Sequence, residues 1–223
     1  MKEKSGLEIR SLTGHFNMDS TSLHVSGVVL RTPDSYIRTQ ADMDLASVAE
    51  QPQGKMSARL MGELGKQDVL LFAGGLPPAF VKAYPNSPII LRLSADGNLD
   101  TLNLTTAEAR LAGAFELKAD GKMFRLTDSV RRSGHVNLAL RTRNLDFARA
   151  LAGEEALEDI ALPPKRLDGN VGLDGQKYTA DLRLREGKGS VQVKGGFDAA
   201  RMAYQPSLVT SSLLARIFPI LTE

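Results

Sequence analysis

The chain has 223 residues, 42% of them hydrophobic, with no Trp, 5% aromatic residues, 20 glycines and no cysteine. Its 28 Lys and Arg against 26 Asp and Glu leave a formal charge of +2, and the signs interleave along the chain instead of gathering into the basic patch of a nucleic-acid binder. Lack of cysteine excludes a disulfide framework, a thiolate zinc site and a cysteine nucleophile, while the low aromatic content leaves burial to Leu, Val, Ile and Ala, which suits an extended layer better than a thick globule.

Period-two alternation dominates the chain in order. Ile37, Thr39, Ala41, Met43 and Leu45 alternate with Arg38, Gln40, Asp42 and Asp44. Asp68 then precedes a short helix-forming run to Ala73, where its carboxylate is expected to cap the first-turn amides and Gly74-Gly75 to end the helix. The longest apolar stretch, Val69 to Val81, is broken by those glycines and by Pro77-Pro78, and is too short for the ~20 residues of a membrane-spanning helix. A proline-bearing connection through Pro85 and Pro88 follows. Gly97-Asn98, Asp120-Gly121 and Asp174-Gly175 read as tight turns between strands. Val136, Leu138 and Leu140 alternate with Asn137, Ala139 and Arg141; Leu182 and Leu184 with Arg183 and Arg185; Val191 and Val193 with Gln192 and Lys194. Asp146 to Leu151 repeats the Asp-led helical run, with a stop at Gly153 and prolines at 163 and 164. Each strand thus offers one apolar and one polar face, the pattern of an antiparallel sheet with one wet side.

Several landmarks recur 78 positions apart, among them Asp68 and Asp146, Pro85 and Pro163, Gly97 and Gly175. The chain therefore reads as a partial β-repeat unit over 1–67, a full unit of short helix, Pro linker and strands over 68–145, a further unit over 146–205, and a tail over 206–223 that is either an amphipathic helix or a cut end. Helices too short to cover a sheet suggest quasi-one-dimensional stacking of units into an elongated, mainly β protein.

No constellation of catalytic residues emerges, so an enzyme is not expected, and neither is a cofactor. His15, His24 and His135 have no second metal ligand at fixed spacing. Asp42 and Asp44 lie on the polar face of one strand, and Glu154-Glu155 at a helix end, both solvated placements. Gly187-Lys-Gly-Ser190 is a β-turn and not a phosphate loop, which needs four residues between its glycines. Arg131-Arg132 and Lys165-Arg166 read as solvated loop charges, so no nucleic acid is expected. The apolar face has two readings. It packs against a second sheet, as in a structural β-repeat module of a surface or adhesion protein with a dry interior. Alternatively the sheet curls and the face lines a groove for acyl chains, a use suited to aliphatic and small residues without aromatic platforms.

The segments Met18-Asp-Ser-Thr-Ser-Leu-His-Val-Ser-Gly-Val-Val-Leu-Arg-Thr-Pro-Asp-Ser-Tyr36, Gly65-Lys-Gln-Asp-Val-Leu-Leu-Phe-Ala-Gly-Gly-Leu-Pro77 and Arg143-Asn-Leu-Asp-Phe147 resemble the periplasmic part of AsmA-like proteins, most closely the translocation and assembly module TamB family of large Bacteroidota proteins. The resemblance spans most of positions 10 to 200 and rests on strand-and-turn patterns. It implies a long antiparallel sheet rolled into a taco-like trough with a hydrophobic interior, held in the periplasm by an inner-membrane anchor. It also implies movement of phospholipid toward the outer membrane, or assembly of outer-membrane proteins in contact with a barrel protein. The family offers no catalytic residues, and its membrane helix and C-terminal domain are not matched here, so an anchor is expected outside this chain. On this reading Val136, Leu138, Leu140, Leu182, Leu184, Val191 and Val193 touch phospholipid acyl chains, while Arg141, Arg183 and Arg185 keep the outside of the trough soluble.

Overall fold

The computed structural model describes residues 8–45, 54–98, 100–151 and 164–211. Its strands are β1 (Ser11–Met18), β2 (Ser22–Arg31), β3 (Tyr36–Asp44), β4 (Met56–Leu64), β5 (Ile89–Gly97) and β6 (Thr101–Leu111), then β7 (Phe115–Phe124), β8 (Ser133–Thr142), β9 (Arg166–Asp174), β10 (Lys177–Glu186), β11 (Gly189–Asp198) and β12 (Ala203–Ser211). Helices α1 (Lys66–Ala73) and α2 (Pro78–Ala83) join β4 to β5, and a 3-10 helix (Asp146–Leu151) follows β8. All twelve strands form one sheet in sequence order, each antiparallel to the next, and β1 and β12 are its edges. A mainly β, antiparallel, open sheet is the architecture that the alternation implies.

The chain exposes 15,075 Å², against roughly 10,000 Å² expected for a globular monomer of its mass. Among the described residues, the clustered core is small: Phe80, Tyr84, Leu111 and Ala114, with Val69, Leu70, Leu76, Ile89, Phe115 and Phe147 packed around them. This cluster lies where β5 begins, β6 ends and β7 begins. Both helical excursions leave from that edge, four strands apart, and meet above the β6–β7 turn. There the rings of Phe80, Tyr84 and Phe147 form a triangle with centroids 5.3 to 5.7 Å apart.

Local details differ from the sequence reading in four places. Asp68 is not a cap: α1 starts at Lys66 with Gly65 as its N-cap residue, and the Asp68 carboxylate is buried, accepting the hydroxyls of Thr32 and Ser35. The capping comes from the β2–β3 turn instead. Asp34 Oδ2 accepts the Gln67 N–H at 2.7 Å, at the positive end of the helix, and Ser35 Oγ accepts the Gly65 N–H at 2.9 Å. Asp146 likewise is preceded by its true partner, since Asn144 Oδ1 accepts the Asp146 N–H at 2.8 Å. Pro77 and Pro78 begin α2, with Pro78 at a position whose N–H has no helical partner anyway. Asp120-Gly121 is no turn; both residues sit inside β7. Gly74 does end α1, with φ of 55°, and Gly187 with φ of 54° makes the β10–β11 turn. Strand pairing runs through Ser211, with Pro206 beside Gly195 on the edge strand, where a missing N–H is tolerated. Residues 152–163, which hold Gly153, Glu154-Glu155 and Pro163, and residues 212–223 lie outside the described residues.

Two substitutions test the helical clasp. Asp68→Ala leaves two buried hydroxyls without their acceptor and is expected to lower unfolding free energy by about 2 kcal/mol in a denaturant titration. The Tyr84 hydroxyl is buried without a hydrogen-bond partner, and burial pushes its pKa above the ordinary tyrosine value. Tyr84→Phe keeps the ring packing and removes that unsatisfied group, so stability is expected to hold or rise by up to about 1 kcal/mol.

Candidate functional site

Register carries the strand alternation across the whole sheet in phase. Leu140 lies between Leu117 and Leu167, and the row continues through Leu184 to Val191. On the other side it runs back through Leu91 and Ile37 to Leu30 and Leu12. A second row holds Leu60, Leu93, Leu138, Leu182 and Val193. A third holds Ala41, Ala58, Ala95, Gly121, Val136 and Ala180. A fourth runs along the far side through Met18, Leu23, Met43, Met56, Met123 and Tyr178. β-Bulges between Val25 and Val28, between Ser94 and Ala95, and between Leu104 and Ala107 absorb odd residues, so each strand returns to phase. Thr39 is a rare polar side chain in these rows.

Eleven steps of about 4.8 Å make this apolar track roughly 50 Å long, and four rows two residues apart make it roughly 20 Å wide. The helical clasp covers Ile89, Leu111 and Phe115, which pair with one another one step outside the first row, and leaves the four rows open. The third row mixes the small Ala41, Ala58, Ala95, Gly121 and Ala180 with the larger Phe16, Val25, Leu104, Val136 and Val171, between the leucine-rich second row and the methionine-rich fourth.

The sheet crowds toward this face. An added Cβ at Gly121 would lie 2.2 Å from the His135 carbonyl oxygen, and one at Gly169 2.0 Å from that of Asp181. Both glycines are on the apolar side, beside Val136 and Leu182. Gly196, whose register partner is Thr179 on the polar side, has its nearest neighbour at 3.7 Å. At Gly121 and Gly169 only a glycine lets the neighbouring backbone come so close on the apolar side, which suits a sheet curved toward that face.

The opposite face is charged and paired. Glu108 accepts from Lys118 at 3.2 Å and lies 3.9 Å from Arg92, Glu116 is 3.3 Å from Lys118, and Lys194 reaches Asp181 at 2.9 Å. The Glu108 and Glu116 carboxylates hold Lys118 above the ordinary lysine pKa, and Lys194 with Gln192 holds Asp181 below the ordinary aspartate value. Such exposed pairs add little stability but keep that face wet.

All seven residues read from the sequence as groove-facing, Val136, Leu138, Leu140, Leu182, Leu184, Val191 and Val193, lie on the apolar face. Val191 is buried, Val193 is 42% exposed and the other five are half-buried. Arg141, Arg183 and Arg185 are exposed on the other face, Arg185 3.4 Å from Asp168. Of the β1–β7 half, the β3 face with Ile37, Ala41 and Met43 was read as alternating, and the faces of β1, β2 and β4 to β7 were not. Leu91 and Leu93 around Arg92 carried the signal, whereas the Thr105-Thr106 bulge hid it in β6. Also unread was the His24–Asp42 contact at 2.8 Å on the polar face, both side chains more than half exposed. Among the described residues no group of three or more His, Asp or Glu is placed to hold a metal ion, and no helix is long and apolar enough to cross a membrane.

Comparison with protein-family models, with curated proteins and with solved structures yields no match.

The crowding predicts an asymmetry between glycines. Gly121→Ala forces a backbone shift and is expected to cost about 1–3 kcal/mol. Gly196→Ala, with room for its methyl, is expected to change stability by less than about 1 kcal/mol in the same chemical denaturation.

Proposed function

We propose that this chain is a non-enzymatic lipid-conducting segment, and that its trough carries phospholipid acyl chains between two membranes or shields apolar segments of outer-membrane proteins during their assembly. The observation that carries the reading is the set of four in-phase rows, apolar but for rare positions such as Thr39, that cross a single sheet. Among the described residues no second sheet covers them, as a dry structural module would require. An acyl chain reaches roughly 15 Å, half a bilayer's hydrocarbon core, so the track is several chain lengths long. Its third row, where Ala41, Ala58, Ala95, Gly121 and Ala180 lower the floor between larger aliphatic residues, suits a flexible methylene chain lying along the trough.

Energetics favour passage over storage. A methylene moved fully out of water gains about 0.8 kcal/mol; in an open trough one side stays wet, so ten methylenes gain roughly 4 kcal/mol, close to a millimolar affinity. A two-tailed lipid about doubles this, which is strong enough to hold and weak enough to release. Placement in the periplasm, with a barrel protein as partner, follows the resemblance to AsmA-like and TamB-type proteins.

Native mass spectrometry with lipid extraction, on protein made in a bacterium and purified with minimal detergent, tests the reading. Phospholipid is expected at near-stoichiometric amount. Leu138→Asp puts a carboxylate on the trough floor and is expected to remove it, whereas Ala139→Asp, on the opposite face of the same strand, is expected to keep it. Lipid-free wild-type protein that unfolds cooperatively would instead favour the structural module.

A further inference from the structure

Edge strands are normally protected from pairing by charge, proline or brevity. The β1 edge has none of these. Its eight residues, Ser-Leu-Thr-Gly-His-Phe-Asn-Met, include no charged residue and no proline. The inward side chains Leu12, Phe16 and Met18 are 61%, 68% and 69% exposed. The strand is nonetheless well anchored. It pairs with β2 on both sides of a bulge between Thr13 and His15, and the turn after it is fixed by Asp19, whose carboxylate accepts the backbone N–H groups of Thr21 and Ser22 at 2.7 and 2.8 Å. Those bonds hold the Asp19 pKa down to about 2.

The β1 sequence is complementary to itself. Antiparallel pairing centred on His15 sets Leu12 beside the partner's Met18, and Phe16 beside the partner's Gly14. A large ring next to a cross-strand glycine is a favoured neighbour on a sheet face. No like charges meet along the strand, and at each end Arg10 approaches the partner's Asp19, of opposite sign. A two-fold axis perpendicular to the sheet leaves both apolar faces on the same side. We propose that β1 is a docking edge for a second copy of this chain, joined β1 to β1 about His15, so that two troughs become one continuous track. This inference rests on the edge and not on lipid binding.

A strand-to-strand contact buries less than about 1,000 Å², so a reversible dimer of micromolar or weaker affinity is expected. The test is sedimentation velocity on lipid-free protein from about 1 to 200 µM, the range in which such small interfaces associate. His15→Glu and His15→Lys place like charges opposite each other across the axis, on the exposed polar face where folding is not at stake. Each variant alone is expected to dimerise roughly tenfold or more weakly than the parent, and an equimolar mixture of the two to recover association. Hydrogen exchange at high concentration is expected to slow at amides of residues 11–18. A parent that stays monomeric throughout overturns the proposal. So does association that both variants retain, or a mixture that fails to recover it.

Discussion

Everything in this fold depends on keeping a two-residue alternation in phase across twelve strands. A slip of one residue in any pair would turn that strand's apolar side chains outward and its charges inward. With no second sheet among the described residues to lock the register, the work falls to the turns and bulges. The Asp19 turn, the Gly187 turn and the bulges in β2 and β6 each dispose of the residues that would otherwise break phase. Four apolar rows are the consequence of that local bookkeeping.

The helical clasp answers a different need. A sheet with one face open to water has little three-dimensional packing, and among the described residues it gathers in the cluster around the aromatic triangle over the β6–β7 turn. Its position is set by polar contacts, not by the helices' own sequences. Asp34 and Ser35 cap α1 from a turn thirty residues upstream, Asp68 gathers Thr32 and Ser35, and Lys66 Nζ donates to the Tyr84 carbonyl at 2.7 Å. Buried and mutually satisfied, these groups are worth more than the exposed ion pairs of the outer face. α2 and the 3-10 helix are then brought together by Phe80, Tyr84 and Phe147.

What was legible in the sequence follows from this division. Strand alternation is a local signal, so the antiparallel sheet with one wet face could be read, and all seven residues placed on the apolar side from β8, β10 and β11 are found there. Long-range contacts are not local. Asp68 looked like a cap because Asp before a short apolar run usually is one, and nothing nearby in sequence announces that Thr32 and Ser35 claim its carboxylate. Asp120-Gly121 looked like a turn because that dipeptide favours one. Gly121 is in fact required where the β8 backbone presses on β7, a demand set by a strand not yet in view. Bulged β6 and glycine-interrupted β9 hid their faces for the same reason: the period is restored only by pairing.

Curvature ties these points to function. A flat apolar sheet of this extent would be an aggregation surface. Bending toward the apolar face narrows its opening and partly shades each row, as the half-buried state of Val136, Leu138 and Leu140 reflects. The bend in turn needs positions without side chains, and Gly121 and Gly169 supply them on the inner face. Their absence of side chains also deepens the middle of the trough, since Gly121 belongs to the same row as Ala41, Ala58, Ala95 and Ala180. One structural requirement, a glycine where neighbouring backbones approach, thus shapes both the concavity and the depth of its floor. The proposed methylene chain would lie over a floor that mixes these small residues with Leu104, Val136 and Val171, bordered by the leucine and methionine rows.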